Sequence, residues 1–205
     1  EFLGLPWELL NNGGESYLSS QLGGILRRLS SEPQEDFSVQ LPTDQLNVLL
    51  MLPPSGEGTG SIASEALAAL ESLAVSAELD CLRPSSDASL VERLKGKPAH
   101  YHLVHFDGFT IDSKGISMED GSGGVTSVDA ATLAGLLSST QTPVVLINAS
   151  WSSASNDVIS FAAGLAQNGV PQVVITPLPI AGSGRVLFCE NLFRGISGGT
   201  PVAQT

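Results

Sequence analysis

The segment VVLINAS, from Val144 to Ser150, is the stretch of sequence that decides the fold. Its first four residues are aliphatic, and no polar residue alternates with them. A short, continuous apolar run predicts a β-strand that is covered on both faces, as strands are in parallel sheets with helices on each side. The segment therefore favours an α/β domain.

Short apolar runs of the same kind recur along the chain and alternate with helical stretches. The five runs are Val48 to Leu52, Leu79 to Leu82, Tyr101 to Phe106, Val144 to Ile147 and Val173 to Ile175. The helical stretches are Ser61 to Ala77, Asp87 to Leu94, Asp129 to Leu137, Asn156 to Gln167 and Arg185 to Gly195. Only Phe109 to Asp120 breaks the alternation, and it predicts a small β-hairpin excursion after the third strand. We expect a mainly parallel sheet with helices on both faces.

Residues 1–40 differ from the rest of the chain and predict an N-terminal arm of the same domain. They combine a short amphipathic stretch around Trp7 to Leu10, a Gly13-Gly14 break and a polar segment. Residues 41–205 carry the alternation of strands and helices and form the α/β domain itself. Because the chain begins with Glu1 rather than Met, we expect a fragment of a larger protein.

The composition excludes several classes of protein and partner. The 205 residues are 42% hydrophobic and include 9 basic against 21 acidic residues, so the formal net charge is −12. The apolar content is too high for a disordered chain, and the excess carboxylates repel the phosphates of nucleic acid. No apolar run reaches the roughly 18 to 20 residues of a membrane span. We expect neither nucleic acid nor a membrane as a partner.

The two cysteines, Cys81 and Cys189, are far apart in the sequence. They show none of the paired spacing that a zinc or redox site requires. We therefore expect two reduced, buried thiols and a cytoplasmic protein.

In an open parallel sheet, the binding and catalytic residues lie in the loops beyond the carboxyl ends of the strands. The loops there are Pro53 to Gly60, Asp107 to Ser113, Asn148 to Asn156 and Thr176 to Gly184. The first loop is rich in glycine, but it lacks the lysine of a phosphate-binding loop, and Glu57 would repel a phosphate. It is better interpreted as a flexible loop over a cleft, and no cofactor is expected.

The remaining candidates for chemistry are histidines and a serine. His100 and His102 have a spacing that can hold a metal, but no third ligand is identifiable, so no metal site is predicted. His105 and Asp107 share the other strand face, where His105 is either a base or, as we favour, a hydrogen-bonded core residue. Ser150 follows a strand directly, and it is either a nucleophile or one of the caps that are common at such turns.

Taken together, these segments resemble the CHAT family, the caspase-like peptidase domains usually attached to tetratricopeptide repeats. Leu5 to Leu10 (LPWELL) resembles the first motif of the family, and His105 to Gly108 resembles the start of its HFDGHG-type motif. Val144 to Ser150 resembles its VVLNAC-type motif. Further similarity lies at Ala162 to Ile175 and at Gly198 to Val202. The resemblance implies a caspase-haemoglobinase-like three-layer sandwich and a flanking repeat domain in the parent chain.

The family resemblance also implies a cysteine endopeptidase with a His and Cys dyad at neighbouring strand ends and an oxyanion site beside the His-Gly turn. Here Phe109 stands at the His position, Thr110 at the following Gly position and Ser150 at the Cys position. Gly108, Thr110 and Trp151 are then the oxyanion and cleft residues.

Phenylalanine cannot transfer a proton, and His105 and Asp107 are poor replacements for the missing histidine. His105 is expected on the same strand face as Phe109 but roughly 13 Å back, at about 3.3 Å per residue. Asp107 is nearer but is a poor proton donor at neutral pH. Asn148 occupies a position in an S1-like pocket where related peptidases often carry an acid, so selectivity for basic residues is not carried over.

The favoured interpretation is a catalytically impaired CHAT-like domain that binds a protein or peptide segment, and the negative charge points to a basic one. One alternative is a CHAT-family cysteine endopeptidase in an inactivated, Cys-to-Ser form. A second alternative is a small-ligand α/β sensor domain that shares only the architecture.

Overall fold

The computed structural model describes residues 45–54, 59–73, 76–83, 85–176 and 182–198. Within these ranges eight strands and five helices follow one another along the chain. They are β1 (Gln45–Met51), α1 (Thr59–Glu71), β2 (Ser76–Leu82), α2 (Asp87–Gly96), β3 (Leu103–Phe109), β4 (Ile111–Asp112), β5 (Gly115–Glu119), β6 (Val125–Val128), α3 (Ala130–Ser139), β7 (Val144–Ala149), α4 (Ser155–Gln167), β8 (Gln172–Thr176) and α5 (Ser183–Ser197).

Five of the strands form one parallel sheet in the order β2-β1-β3-β7-β8. The segment that decides the fold is β7, and its pairing with β3 starts at Leu103 opposite Val144. Every residue of β7 is buried, because the strand lies inside the sheet and is covered on both faces. The predicted mainly parallel α/β architecture is confirmed.

Alternate side chains of the sheet pack into two layers of helices. On one face, residues such as Val104, Phe106 and Ile147 join the core with α2, α3 and α4. On the other, Leu103 and Leu146 belong to a core that includes residues of α1 and α5. Two helices begin at a side-chain cap. The Ser86 side chain accepts a hydrogen bond from the backbone N–H of Ser89 at the start of α2, and the Asp129 side chain accepts one from the backbone N–H of Thr132 at the start of α3. The domain is therefore a three-layer sandwich, consistent with a caspase-like fold.

The excursion after the third strand is larger than the predicted hairpin. Strands β4, β5 and β6 form a separate antiparallel sheet. Gly115 begins β5 with a φ of +140°, and a Cβ there would lie 2.1 Å from the carbonyl oxygen of Val128, so the close approach of the chain requires glycine. The loop predicted at 107–113 is short, because β3 continues to Phe109 and β4 starts at Ile111.

Some predicted element boundaries differ from the structure by two to six residues. The helix predicted over 61–77 is α1, which ends at Glu71, and β2 already begins at Ser76. The strand predicted from Tyr101 begins at Leu103. Alanine-rich sequence at 74–77 suits a helix by propensity, but pairing with β1 holds Ser76 and Ala77 in the sheet.

Several predicted features lie outside the described residues. These are the N-terminal arm at 1–40 with its LPWELL motif, residues 55–58 of the loop predicted at 53–60, residues 177–181 of the loop predicted at 176–184, and the similarity at 198–202 beyond its first residue. Among the helices that the structure does describe, none is both long and apolar enough to cross a membrane.

The two thiols differ in exposure, which corrects the prediction that both are buried. Cys189 is buried on α5, and this burial raises its pKa to about 12. Cys81 is exposed, because β2 lies at the edge of the parallel sheet. Partial desolvation and the neighbouring Asp80 charge raise the pKa of Cys81 as well. Both cysteines are free thiols.

We expect one of the two thiols to react in the folded protein. Treatment with a chromogenic disulfide reagent at pH 8 should modify Cys81 and leave Cys189 unmodified until urea unfolds the chain. Peptide mass spectrometry after each step identifies the modified residue. Rapid modification of Cys189 in native buffer would contradict its burial in the α5 layer.

Candidate functional site

The carboxyl ends of β3 and β7 bring the two predicted dyad positions to the same edge of the sheet. Phe109 ends β3 and Ser150 follows β7. The Ser150 N–H donates to the Phe109 carbonyl oxygen at 2.9 Å, which fixes the turn after β7 against the end of β3. The backbone at these positions is therefore adjacent, as strand pairing predicts.

Three hydroxyl groups meet at this point, and we call Thr110, Ser150 and Ser152 the hydroxyl cluster. The Thr110 hydroxyl lies 3.2 Å from that of Ser150 and 2.9 Å from that of Ser152. The Ser150 and Ser152 hydroxyls are 2.5 Å apart, and the Ser152 N–H donates to Ser150 Oγ at 3.2 Å. Hydroxyls bind by donating and accepting hydrogen bonds but do not act as bases near neutral pH. Sequence reasoning missed Ser152, whose serine-rich surroundings gave no distinguishing signal.

The Phe109 side chain points away from the hydroxyl cluster and into the core. It is fully buried and packs edge-to-face on Phe106, with ring centroids 5.5 Å apart. The pairing of β3 with β7 shifts register between Asp107 and Phe109, where Gly108 adopts a φ of +79°. This irregularity turns Phe109 to the face that carries Phe106.

The same irregularity corrects the prediction that His105 shares a strand face with Phe109. His105 is buried on the opposite face, where its Nε2 lies 3.4 Å from Asp107 Oδ2. Burial lowers the pKa of His105; the Asp107 charge opposes this effect and the Arg185 charge adds to it. His105 is therefore a neutral core residue at neutral pH, as the sequence favoured. Its ring nitrogens make no hydrogen bond, which corrects the expectation of a hydrogen-bonded core residue.

Asp107 is the centre of a buried charge network, which we define as His105, Asp107, Asn148, Thr176, Arg185 and Glu65. Arg185 Nε lies 3.2 Å from the Asp107 carboxylate, and Arg185 Nη1 donates to Glu65 at 2.7 Å. The Asn148 amide donates to Asp107 at 2.8 Å and accepts from Thr176 at 2.7 Å. The network joins the ends of β3, β7 and β8 to α1 and α5.

The network explains the position of the Asn148 side chain, which the sequence predicts in an S1-like pocket. Its side chain is buried and held between Asp107 and Thr176. Trp151, in contrast, is 78% exposed next to the hydroxyl cluster. The structure thus brings Thr110 and Ser150 together, places Trp151 beside them on the surface and buries Phe109, Asp107 and Asn148.

Comparison with known proteins identifies the family. The model of the CHAT domain matches residues 1–205. The chain belongs to the CHAT domain family. No curated protein matches the chain significantly. The crystal structure of the flavodiiron protein from Giardia intestinalis is similar at 13% identity and a TM-score of 0.41; the match covers 80% of this chain and 37% of that chain.

Family membership makes this a domain of a caspase-like peptidase-fold family. The resemblance stated from the motifs is confirmed at the level of the family. The edge of the sheet at which the sequence predicts the dyad positions holds the hydroxyl cluster in this CHAT domain.

The other two histidines of the CHAT domain have structural partners. The backbone N–H of Asn47 donates to His102 Nδ1 at 3.0 Å, and the Asn47 amide donates to the carbonyl oxygen of His100 at 3.0 Å. These contacts attach the segment before β3 to β1. No group of three or more His, Cys, Asp or Glu residues is arranged to hold a metal ion in the described ranges.

Burial of neutral His105 predicts a pH dependence of stability. Its pKa in the folded domain lies below the unfolded value near 6.5. The unfolded state therefore binds the proton more tightly, so this contribution is complete above pH 6.5 and is lost as the pH falls through that value. Urea unfolding should give a free energy about 1 kcal/mol lower at pH 5.5 than at pH 7.5, since the slope is at most about 1.4 kcal/mol per pH unit. His105→Leu should flatten this dependence, whereas His100→Gln should retain it.

Proposed function

We propose that this CHAT domain is a non-catalytic member that binds protein or peptide segments at the hydroxyl cluster. The observation that carries the proposal is the surroundings of Ser150. Its hydroxyl contacts two other hydroxyls, Thr110 and Ser152, and an N–H group, none of which takes a proton near neutral pH.

A serine at this position needs a general base within hydrogen-bond distance before it attacks a carbonyl. Phe109 supplies none, because its ring transfers no proton and packs on Phe106 in the core. His105 lies on the opposite face of the sheet, with its Nε2 3.4 Å from the Asp107 carboxylate. These arrangements favour binding over hydrolysis at this edge.

The same edge has the surface chemistry of a binding site. Trp151 presents a large aromatic side chain to solvent, and tryptophan is among the residues that contribute most to protein interfaces. The hydroxyl cluster beside it donates and accepts hydrogen bonds, which extended peptide backbones require. The net charge of −12 favours basic partners by long-range attraction. A flanking repeat domain that presents such a segment remains part of the proposal.

The experiment selects peptides that bind the domain from a random display library and measures their dissociation constants by fluorescence polarisation. Trp151→Ala should raise the dissociation constants of the selected peptides by at least about tenfold, because removal of an interface hot spot costs about 2 kcal/mol of binding free energy. Leu67→Ala is the matched control, because Leu67 is also an exposed apolar residue but lies on α1, at the β2 side of the sheet. It should leave the dissociation constants unchanged.

Hydrolysis is the outcome that would overturn the proposal. The selected peptides are incubated with the domain and analysed by mass spectrometry, in parallel with Ser150→Ala. Cleavage that disappears in Ser150→Ala would establish a serine peptidase, while intact peptides that bind through Trp151 would support a binding module. Equal affinity of the wild type and Trp151→Ala would place binding elsewhere and contradict the assigned surface.

A further inference from the structure

Strand β6 is an exposed edge of the antiparallel sheet β4-β5-β6. Among the described residues it pairs with β5 alone, with Val125 opposite Glu119. Val125, Thr126 and Ser127 are all exposed to solvent, and the Val125 side chain is the most exposed of the aliphatic residues there, at 60%. One side of β6 is therefore open to a partner.

The hydrogen bonds of β5 show which of its backbone groups point to β6. The Ser117 N–H donates to the Thr110 carbonyl oxygen at 2.9 Å, and the Glu119 N–H donates to the Ser85 carbonyl oxygen at 3.1 Å. Both bonds lie on the side of β5 opposite β6. Because successive residues of a strand point their backbone groups to opposite sides, the even-numbered residues of β5 face β6.

The same alternation fixes the outward groups of β6. Met118 lies opposite Thr126, so these two residues exchange the hydrogen bonds of the ladder. Val125 and Ser127 then direct their N–H and C=O groups away from the sheet. Within the part of the chain that the structure describes, these groups make no hydrogen bond. We call the outward backbone groups of Val125 and Ser127 the open edge.

The open edge lacks the features that usually protect an edge strand, which are charged side chains, proline or a bulge. The sequence of β6 is Val-Thr-Ser-Val, and its register with β5 is regular. The edge strand β2 of the larger sheet, in contrast, carries Asp80, which pairs with Arg93 and Lys97. Unprotected edges take up extended peptides, which pair with them through main-chain hydrogen bonds.

The charges around the open edge indicate which peptide suits it. Two outward residues exchange at most about four main-chain hydrogen bonds with an added strand, so side-chain contacts must contribute as well. Residues 111–129, which form the small sheet and its turns, include four acidic residues and one basic residue. A basic side chain opposite Val125 on an added strand would face Glu119 across Val125, at two strand spacings or about 10 Å between backbones. Long basic side chains bridge such a gap.

We propose that the open edge is a strand-addition site for an extended segment of a partner protein that carries basic residues at alternate positions. A second copy of the domain suits the edge less well, because two chains with a net charge of −12 repel each other. The site is separate from the hydroxyl cluster, since β5 lies between β6 and β4, and it is β4 whose Ile111 N–H donates to Ser153. The proposal is therefore independent of the function assigned to the Ser150 edge.

Hydrogen exchange of the full chain, followed by NMR, tests the site without any substitution. In the free domain, the amides of Val125 and Ser127 should exchange much faster than those of Thr126 and Val128, which donate to β5. A synthetic peptide of alternating lysine and valine should slow exchange at Val125 and Ser127 by at least about tenfold and so remove the difference. A bound peptide that leaves the difference unchanged would overturn the proposal.

Slow exchange of the Val125 and Ser127 amides in the free domain would also overturn the proposal. Protection that increases with protein concentration would make a second copy of the chain the occupant. Protection that does not depend on concentration would mean that another segment of the same chain covers the edge.

Fluorescence polarisation of the labelled peptide gives a second measurement. Ser127→Pro removes an outward N–H but no hydrogen bond between β5 and β6, so it should raise the dissociation constant by at least about tenfold. Ser127→Ala keeps the N–H and should leave the constant unchanged. Glu119→Gln should raise it about threefold, whereas Glu92→Gln, the same change at an exposed position of α2, should not.

Two results of this measurement would contradict strand addition. Equal dissociation constants for Ser127→Pro and Ser127→Ala would show that the backbone of β6 does not pair with the peptide. Equal effects of Glu119→Gln and Glu92→Gln would reduce the binding to general attraction by negative charge. Trp151→Ala should bind this peptide as the wild type does, and a loss of affinity there would place the peptide at the Ser150 edge instead.

Discussion

Replacing Arg185 by methionine is expected to lower the free energy of unfolding by about 3–5 kcal/mol, the usual cost of removing one partner from a buried ion pair. Arg185 is 12% exposed and contacts both Asp107 and Glu65. Methionine fills a similar volume but leaves the Asp107 carboxylate, which is fully buried, without its cation. Urea unfolding followed by circular dichroism measures the loss.

Two further variants separate the buried charge from a general effect of losing an arginine. Arg194→Met is the matched control, because Arg194 pairs with Glu190 one turn away on an exposed part of the same helix. Such surface pairs contribute about 0–1 kcal/mol. In the double variant Arg185→Met with Asp107→Asn, part of the lost stability should return, since no buried carboxylate is left unpaired. A loss for Arg185→Met as small as that for Arg194→Met would contradict a structural role of the buried charge network.

The sequence predicts the sheet well because burial on both faces leaves a local signal. Runs such as Val144 to Ile147 identify parallel strands without knowledge of their neighbours. The same pattern also places Ser150 directly after β7 and Thr110 directly after β3. These features depend on a few consecutive residues.

The contacts that define the site are not local, and the sequence does not predict them. Arg185 meets Asp107 only because α5 crosses the face of the sheet that carries His105, and nothing in the 77 intervening positions indicates it. The turn of Phe109 into the core depends on the irregularity at Gly108, and alternation along a regular strand predicts the opposite face. Serine-rich sequence after β7 likewise does not indicate which hydroxyls meet.

The geometry also identifies the position from which a base could serve a nucleophile at residue 150. Thr110, whose hydroxyl lies 3.2 Å from that of Ser150, faces the site, whereas Phe109 packs on Phe106. An imidazole at 110 can therefore contact a thiol at 150. An imidazole at 109 would lie in the apolar core, where it costs about 3 kcal/mol through lost packing and an unsatisfied polar group.

We therefore expect opposite results from two double variants made in a Cys81→Ser background. Thr110→His with Ser150→Cys should raise the rate of alkylation by iodoacetamide at pH 6 by at least about tenfold over Ser150→Cys alone, because an adjacent imidazolium stabilises the thiolate. Phe109→His with Ser150→Cys should show the rate of the single variant and a lower free energy of unfolding. Cys189 is buried and does not contribute to the signal. If instead the Phe109→His variant stays stable and gains the higher rate, the side chain at 109 reaches residue 150, and the assignment of Phe109 to the core is wrong.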